Sequence, residues 1–368
     1  MKIERFEFYY VVLPSRKPFV TATCTVLDRE LIVVKAITAD GPVGWGEVDA
    51  DPDPCYAPET LGSARYVIDR YLAPAVLGRE ISTPEDAVEA WSPFVGNEMA
   101  KSGLELAVWD LLARERGASV AAMLGATGRS VPVGVSVGIA ATLDEFLAEV
   151  DEALAAGYRR VKVKIRLGWD VEPLGAVRER FGDVRLQADA NSGYGVEDID
   201  HLAQLDEFGL EMLEQPLYHD DLADHAKLQA RMETPVCLDE SILSARHARL
   251  AAELGSCRII NVKVSRVGGL VEARRIVQVC RDHGIGVWCG SMLESGVGAA
   301  YNLAFALSPG VTNPGDVIPP LRYFERDIIR PAMEMDCDGT VTLPEGVGMC
   351  FAIDEEALEE LTRERWSV

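Results

Sequence analysis

The chain has 368 residues, 48% of them apolar, and a formal charge of −23 at pH 7. That length exceeds one ordinary small domain and suits a barrel with a companion unit. The acidity argues against nucleic acid or an anionic membrane as partner, and no run of about 18 apolar residues offers a membrane helix.

Residues 1–125 read as a separate α+β unit. Ile3–Leu13 opens with strand-like alternation and no apolar block of the signal-peptide kind, so no leader is expected. Further strands are predicted at 24–27 and 30–39, before the run Gly41-Pro42-Val43-Gly44-Trp45-Gly46-Glu47. Helices are predicted at 59–72, 84–91 and 99–116. In the last, Leu104, Ala107, Val108, Leu111 and Leu112 recur at helical spacing and form a core-facing stripe. Residues 14–24 mix Pro, Ser, Arg, Lys and Thr around Phe19 and Val20, which suits a hairpin loop and equally a lid. Trp45 and Tyr56 are each suited to a cavity wall or to the core of this unit.

From Pro132-Val133-Gly134-Val135-Ser136-Val137 onward, short apolar runs alternate with helix-like segments. Five of these runs end on a charge: Lys164, Asp189, Glu214, Asp239 and Lys263, at steps of 25, 25, 25 and 24 residues. Such a step matches a strand plus a crossover helix. Parallel strands joined by crossovers share a direction, so the five charges fall on one edge of the sheet. That edge is where an α/β barrel builds its active site. Another strand is predicted at 286–289, and an eighth near Val311, where the signal is weak. Residues 126–320 would form the barrel, and 321–368 would leave it and pack back on the first unit.

A lone carboxylate at a strand end is ordinarily a helix cap or a solvated loop residue. Five charged ends in phase, three of them acidic, call for another explanation. Two carboxylates about 4 Å apart repel by roughly 4 kcal/mol at an effective dielectric near 20, so three converging ones call for a cation. An all-oxygen set without His or Cys suits Mg²⁺, with Mn²⁺ the alternative, over Zn²⁺. Lys162 and Lys164 share a strand face by period two. Burial beside each other would lower the pKa of at least one, giving a base near neutral pH. The eight cysteines form no Cys-x-x-Cys pair and read as packing residues of a reducing cytoplasm. His219 and His225 read as surface residues.

These motifs resemble the enolase superfamily, in the muconate-lactonising branch with paired lysines. The likeness is greatest to o-succinylbenzoate synthases that double as N-acylamino acid racemases. It rests on Lys162-Val163-Lys164-Ile165, Gly168-Trp169-Asp170-Val171-Glu172-Pro173, Asp189-Ala190-Asn191, Glu214-Gln215-Pro216, Asp239-Glu240-Ser241, and Lys263 with Arg266-Val267-Gly268-Gly269. The resemblance implies an enolase-like fold: an N-terminal α+β capping domain over a modified (β/α) TIM barrel. It implies Mg²⁺ on Asp189, Glu214 and Asp239, with Lys164 and Lys263 as catalytic residues. Lys162, Asn191 and Glu240 would support them. Phe19, Ser136, Arg266, Ser291, Met292 and Glu294 would face substrate.

The activity so implied is removal of a proton α to a carboxylate, giving an enediolate. Loss of a β-hydroxyl then gives dehydration, as in o-succinylbenzoate synthase of menaquinone synthesis. Reprotonation by the second lysine gives racemisation of an N-acylamino acid, and Arg266 resembles an arginine of members with that activity. The implied partner is a small carboxylate substrate, and relatives are commonly homo-oligomers. Dipeptide epimerases are disfavoured for want of an Asp-x-Asp signature near strand eight. A catalytically silent binding scaffold is disfavoured by the complete set of lysines and carboxylates. Ser291 stands where the family pattern has Gly, Ala299 where an Arg often follows Gly-x-Gly, and Val317-Ile318-Pro319-Pro320 replaces a Ser-containing stretch. These departures bear on substrate choice.

Overall fold

The computed structural model describes residues 1–20, 25–39, 41–312 and 314–368. Cys24, part of the strand expected at 24–27 and part of the loop at 14–24 lie outside the described residues. On either side, Phe19–Val20 pairs with Thr25–Val26 as an antiparallel ladder.

The first unit is built on a four-stranded antiparallel sheet. Its strands are β1 (Ile3–Leu13), β2 (Arg29–Thr38) and β3 (Val43–Val48), with a fourth contributed by the end of the chain. Period-two alternation gives this sheet two buried faces. Phe6, Phe8, Ile32 and Val34 pack on the unit's own helices, whereas Tyr9, Val11, Leu31 and Val33 join the barrel core.

Between sheet and barrel runs α1 (Glu98–Glu115), buried on nearly every side because it has a neighbour on each. This explains an apolar stripe flanked by buried Ser102, Glu105 and Asp110. Gly44 and Gly46 of β3 exist for this helix. A Cβ at Gly46 would stand 2.1 Å from the Gly103 carbonyl oxygen, and one at Gly44 2.2 Å from that of Ala107. The expected helix at 59–72 is an α-helix over Leu61–Val67 that widens into a π-helical turn over Ile68–Leu72.

The second unit is a sheet of seven parallel strands: β4 (Gly134–Val137), β5 (Arg160–Lys164), β6 (Leu186–Asp189), β7 (Met212–Glu214), β8 (Val236–Leu238), β9 (Ile259–Val262) and β10 (Gly286–Cys289). They lie side by side in chain order, as successive crossovers of one hand require. The strand expected near Val311 is absent among the described residues. There the chain crosses the gap between β10 and β4 with single contacts: Thr312 N donates to the Val287 carbonyl, Asp316 N to that of Cys289, and Gly134 N to that of Gly315. Proline and glycine on this stretch disfavour a continuous ladder among the described residues.

The helices α2 (Leu270–His283) and α3 (Gly296–Ala306) cover the outside after β9 and β10. Both are tied to the first unit at their N-termini, where free amides seek acceptors. Glu105 accepts from Leu270 N and Val271 N, and Glu47 from Ser295 N and Gly298 N. The chain ends in β11 (Thr362–Ser367), which pairs antiparallel with β1. Among the described residues no helix is long and apolar enough to cross a membrane.

His225 corrects the surface reading. It is fully buried, accepts from Leu217 N and contacts the Asp221 carbonyl, so it closes a loop rather than meeting solvent. Cys237, Cys257, Cys280 and Cys289 are buried as expected, but Cys55 and Cys337 are exposed.

The contact between β3 and α1 carries a test. We expect Gly46→Ala to cost about 2 kcal/mol through overpacking against backbone, read as a lower urea midpoint. An unchanged midpoint would contradict the close approach.

Candidate active site

Register fixes the floor of the site. Lys164 of β5, Asp189 of β6 and Glu214 of β7 are direct cross-strand neighbours. Asp239 follows β8 and Lys263 follows β9, so both sit at the same sheet edge. All five are buried, the carboxylates at 1% exposure or less.

Lys162 lies one layer below Lys164 and is surrounded by acids. Its Nζ stands 3.3 Å from Asp189, 3.2 Å from Glu214 and 3.0 Å from Asp316. Lys164 Nζ donates to Asp189 Oδ2 at 2.6 Å and to Asn191 Oδ1 at 2.7 Å. On the far side, Lys263 Nζ pairs with Asp239 Oδ2 at 2.9 Å, and the Arg266 guanidinium takes Asp239 Oδ1. Tyr56 from the first unit spans the two, its hydroxyl accepting from Lys263 at 2.9 Å and from Arg266 at 2.7 Å.

Lysines and an arginine stand among the converging carboxylates and share in balancing them. Burial alone would lower Lys162, but Asp316, Glu214 and Asp189 hold its ammonium well above the ordinary value. Lys263 is likewise raised, burial being outweighed by Asp239.

Among the described residues, no three His, Cys, Asp or Glu side chains gather tightly enough to grip one ion. By chemistry the set still fits a hard divalent cation. Its donors are oxygens on adjacent strands. Glu214 is pushed up to about 8 by burial and by Asp189. Glu240 is pushed up to about 7 by burial and by Asp239, and its Oε2 has no hydrogen-bond partner. The lysines now on Asp189 and Asp239 would yield those oxygens.

Above this floor lies a cavity of 80 Å³ lined by Phe19, Val26, Arg29, Asp51, Tyr56, Lys164, Asn191, Lys263, Ser291, Met292 and Leu293. Known ligand pockets run from about 300 Å³ upward, so a drug-sized substrate requires the cap and its loops to move apart. Of the residues expected at substrate, Phe19, Ser291 and Met292 line this cavity. Ser136, Arg266 and Glu294 stand behind it. Ser136 donates to Asp316 at 3.1 Å, and Glu294 accepts from Ser291 Oγ, Met292 N and Asn302. Glu294 therefore holds the loop that presents Ser291 and Met292. Leu293 in that loop takes φ 61°, a strained value for a branched side chain. Ala299 is buried inside α3, away from the cavity. Of the two aromatic candidates, Tyr56 reaches the cavity and Trp45 packs in the core.

Sequence reasoning passed over the layer beneath. Arg160 stacks on Trp288, its centre 4.4 Å from the ring, and pairs with Asp316. Gln187 and Asn261 both donate to Glu214. A signal existed: Arg160, Gln187 and Asn261 each precede a named site residue by an even number of positions, hence on the same strand face.

Two family models match the chain. Residues 6–125 match the mandelate racemase / muconate lactonizing enzyme N-terminal domain, and residues 145–357 the enolase C-terminal domain-like family. An N-succinylamino acid racemase of Amycolatopsis sp is 46% identical over 98% of each chain. An o-succinylbenzoate synthase of Geobacillus stearothermophilus is 44% identical over 99% of this chain and 96% of its own. The crystal structure of an enolase superfamily member from Listeria innocua superposes with a TM-score of 0.96 at 39% identity, covering 100% of this chain and 99% of its own. The chain belongs to the mandelate racemase and muconate-lactonising enzyme family of the enolase superfamily.

We expect Lys162→Met to cost about 3–5 kcal/mol of unfolding free energy, because it strands buried carboxylates. Adding Asp316→Asn should recover part of that loss in a double-mutant cycle. Strictly additive losses would contradict a shared charge network.

Proposed function

We propose that this family member removes the proton α to a substrate carboxylate, and that its first activity is o-succinylbenzoate synthesis by dehydration. The observation that carries this reading is that Lys164 and Lys263, with three strands between them, line one cavity. A planar carbon held there would meet one ammonium or amine on each face.

Asp189, Glu214 and Asp239 would hold Mg²⁺, with Mn²⁺ the alternative. When bound, such an ion supplies positive charge that favours the electron-rich state left when the proton departs. Lys164, acting as the free amine, would take the α-proton, and the C–H pair moves into the enediolate. In dehydration the β-carbon–oxygen bond then breaks, and Lys164 returns its proton so that the hydroxyl leaves as water. Lys263 would remain charged and steady the anion from the other face. Lys162 balances the acids below, Asn191 orients Lys164, and Glu240 orients Asn191 by accepting from its amide at 2.9 Å. Phe19, Ser291 and Met292 would touch substrate, with Ser136, Arg266 and Glu294 setting their surroundings. The catalytic unit so read spans residues 126–320, capped by 1–125 and by the returning 321–368. We place it in the cytoplasm as a homo-oligomer.

A second reading has its own support. Lys263 donates to the Tyr56 hydroxyl, which Arg266 also holds, much as Lys164 donates to Asp189 and Asn191. A second lysine so placed can deliver a proton to the opposite face, which is racemisation of an N-succinylamino acid.

A side-by-side assay in deuterium oxide separates the two. We expect dehydration of the o-succinylbenzoate precursor in Mg²⁺, lost on chelation and regained on adding metal. Fast α-deuterium incorporation and racemisation of an N-succinylamino acid without dehydration would replace the first reading by the second. Turnover that survives chelation would contradict the metal assignment.

A further inference from the structure

Buried carboxyl groups converge where the first unit meets the first turn of α3, and among the described residues one of them has no donor. Glu47, near the end of β3, accepts from Ser295 N at 2.8 Å, from Gly298 N at 3.3 Å and from Ser295 Oγ. Glu294 accepts from Ser291 Oγ at 2.5 Å, from Met292 N at 2.7 Å and from Asn302 at 2.8 Å. Asp327 accepts from Gly296 N and Ile328 N, each at 2.8 Å. Close packing seats the first two: a Cβ at Gly298 would stand 2.8 Å from Glu47 Oε1 and 2.7 Å from the Glu294 side chain. Asp49 lies two residues beyond Glu47, hence on the same strand face. It is 1% exposed and in hydrogen-bond contact with the Glu47 carboxyl, while its Oδ1 has no partner. Arg29 of β2 stands near, but its guanidinium goes to the Asp51 carboxylate and to the Asp49 main-chain carbonyl at 2.5 Å. The Tyr301 hydroxyl, also near Glu47, donates to the Trp45 carbonyl instead. Two carboxyl groups in contact inside a protein cannot both be ionised without a cation between them, so they share a proton. Glu47 already has three donors and keeps the charge. The proton belongs to Asp49.

From this geometry we infer that Asp49 is a positioning residue that works as the neutral acid. Its proton bridges to Glu47 and seats the first unit on α3, so that loss of the proton loosens α3 and the Ser291–Leu293 wall of the cavity before it. The inference holds whichever of the two reactions the site performs. Burial, and then the charge on Glu47, hold the Asp49 carboxyl well above the ordinary carboxylate value. Ionised, it would face Glu47, Glu294 and Asp327 with only the engaged Arg29 to offset it among the described residues. In the unfolded chain the same group releases its proton near pH ~4. The stability it contributes is therefore full below that pH and is lost as pH rises through the folded value, by up to about tenfold in the unfolding constant per pH unit.

The test compares wild type with Asp49→Asn, whose amide donates to Glu47 at every pH. Urea unfolding and amide hydrogen exchange would be followed between about pH 5 and 9. Wild type should lose stability relative to the variant as pH rises, by up to about tenfold in the unfolding constant per pH unit. The protection factors of the Ser295 and Gly298 amides should fall with pH in wild type and stay level in the variant. A difference in stability that does not change with pH overturns the shared proton. Level protection of those two amides in wild type overturns the seating of α3, even where the stability difference moves. If Asp49→Asn folds poorly, Glu47→Gln, whose amide would donate to an ionised Asp49, should give the same level profile, and the wild-type exchange measurement needs no variant. Neither measurement involves substrate, so a failure here leaves the proposed chemistry standing.

Discussion

The structure depends on balanced charge inside the barrel. Asp189, Glu214, Asp239, Glu240 and Asp316 are closed in with Arg160, Lys162, Lys164, Lys263 and Arg266. Stranding one buried ion ordinarily costs about 3–5 kcal/mol, so these groups stand or fall as a network. Lys162 is its centre, touching acids from three segments of the barrel. The same arrangement prepares the site for chemistry. Asp189 and Asp239 each hold a lysine now, and would exchange it for a divalent ion when one arrives. A lysine released in that way sits beside the cavity, where a proton can be taken.

The first unit closes this site and aims it. Glu105 and Glu47 bind the N-termini of the two helices that follow β9 and β10. Those contacts fix the loops after the strands, including the one that carries Ser291, Met292 and Leu293. Burial pushes Glu105 up to about 7, the cost of setting a carboxylate inside the junction. Tyr56 then reaches down to Lys263 and Arg266, so floor and roof meet through one hydroxyl. The cavity left between them is smaller than either proposed substrate.

Much of this was legible before any coordinates. The repeat of charged strand ends placed Lys164, Asp189, Glu214, Asp239 and Lys263 on one edge because crossover units have a nearly fixed length. Period two placed Lys162 inward. What escaped was tertiary. Among the described residues the eighth barrel position carries only isolated hydrogen bonds, and a gap bridged in that way leaves no alternation to read. Asp316, which pairs with Lys162, comes from a segment far along the chain, so no spacing announced it. His225 looked exposed in an acidic stretch, yet its ring is needed to satisfy Leu217 N. Arg266 and Glu294 appeared as substrate contacts, whereas their partners put them one layer behind.

The central claim is that two lysines address opposite faces of one carbon, and stereochemistry tests it most directly. Each enantiomer of an N-succinylamino acid would be incubated in deuterium oxide with Lys164→Ala and with Lys263→Ala, and α-proton loss followed by NMR. The account expects each variant to lose exchange on one enantiomer and keep it on the other, with the pattern reversed between variants. Equal loss on both enantiomers in one variant, with no effect in the other, would contradict it.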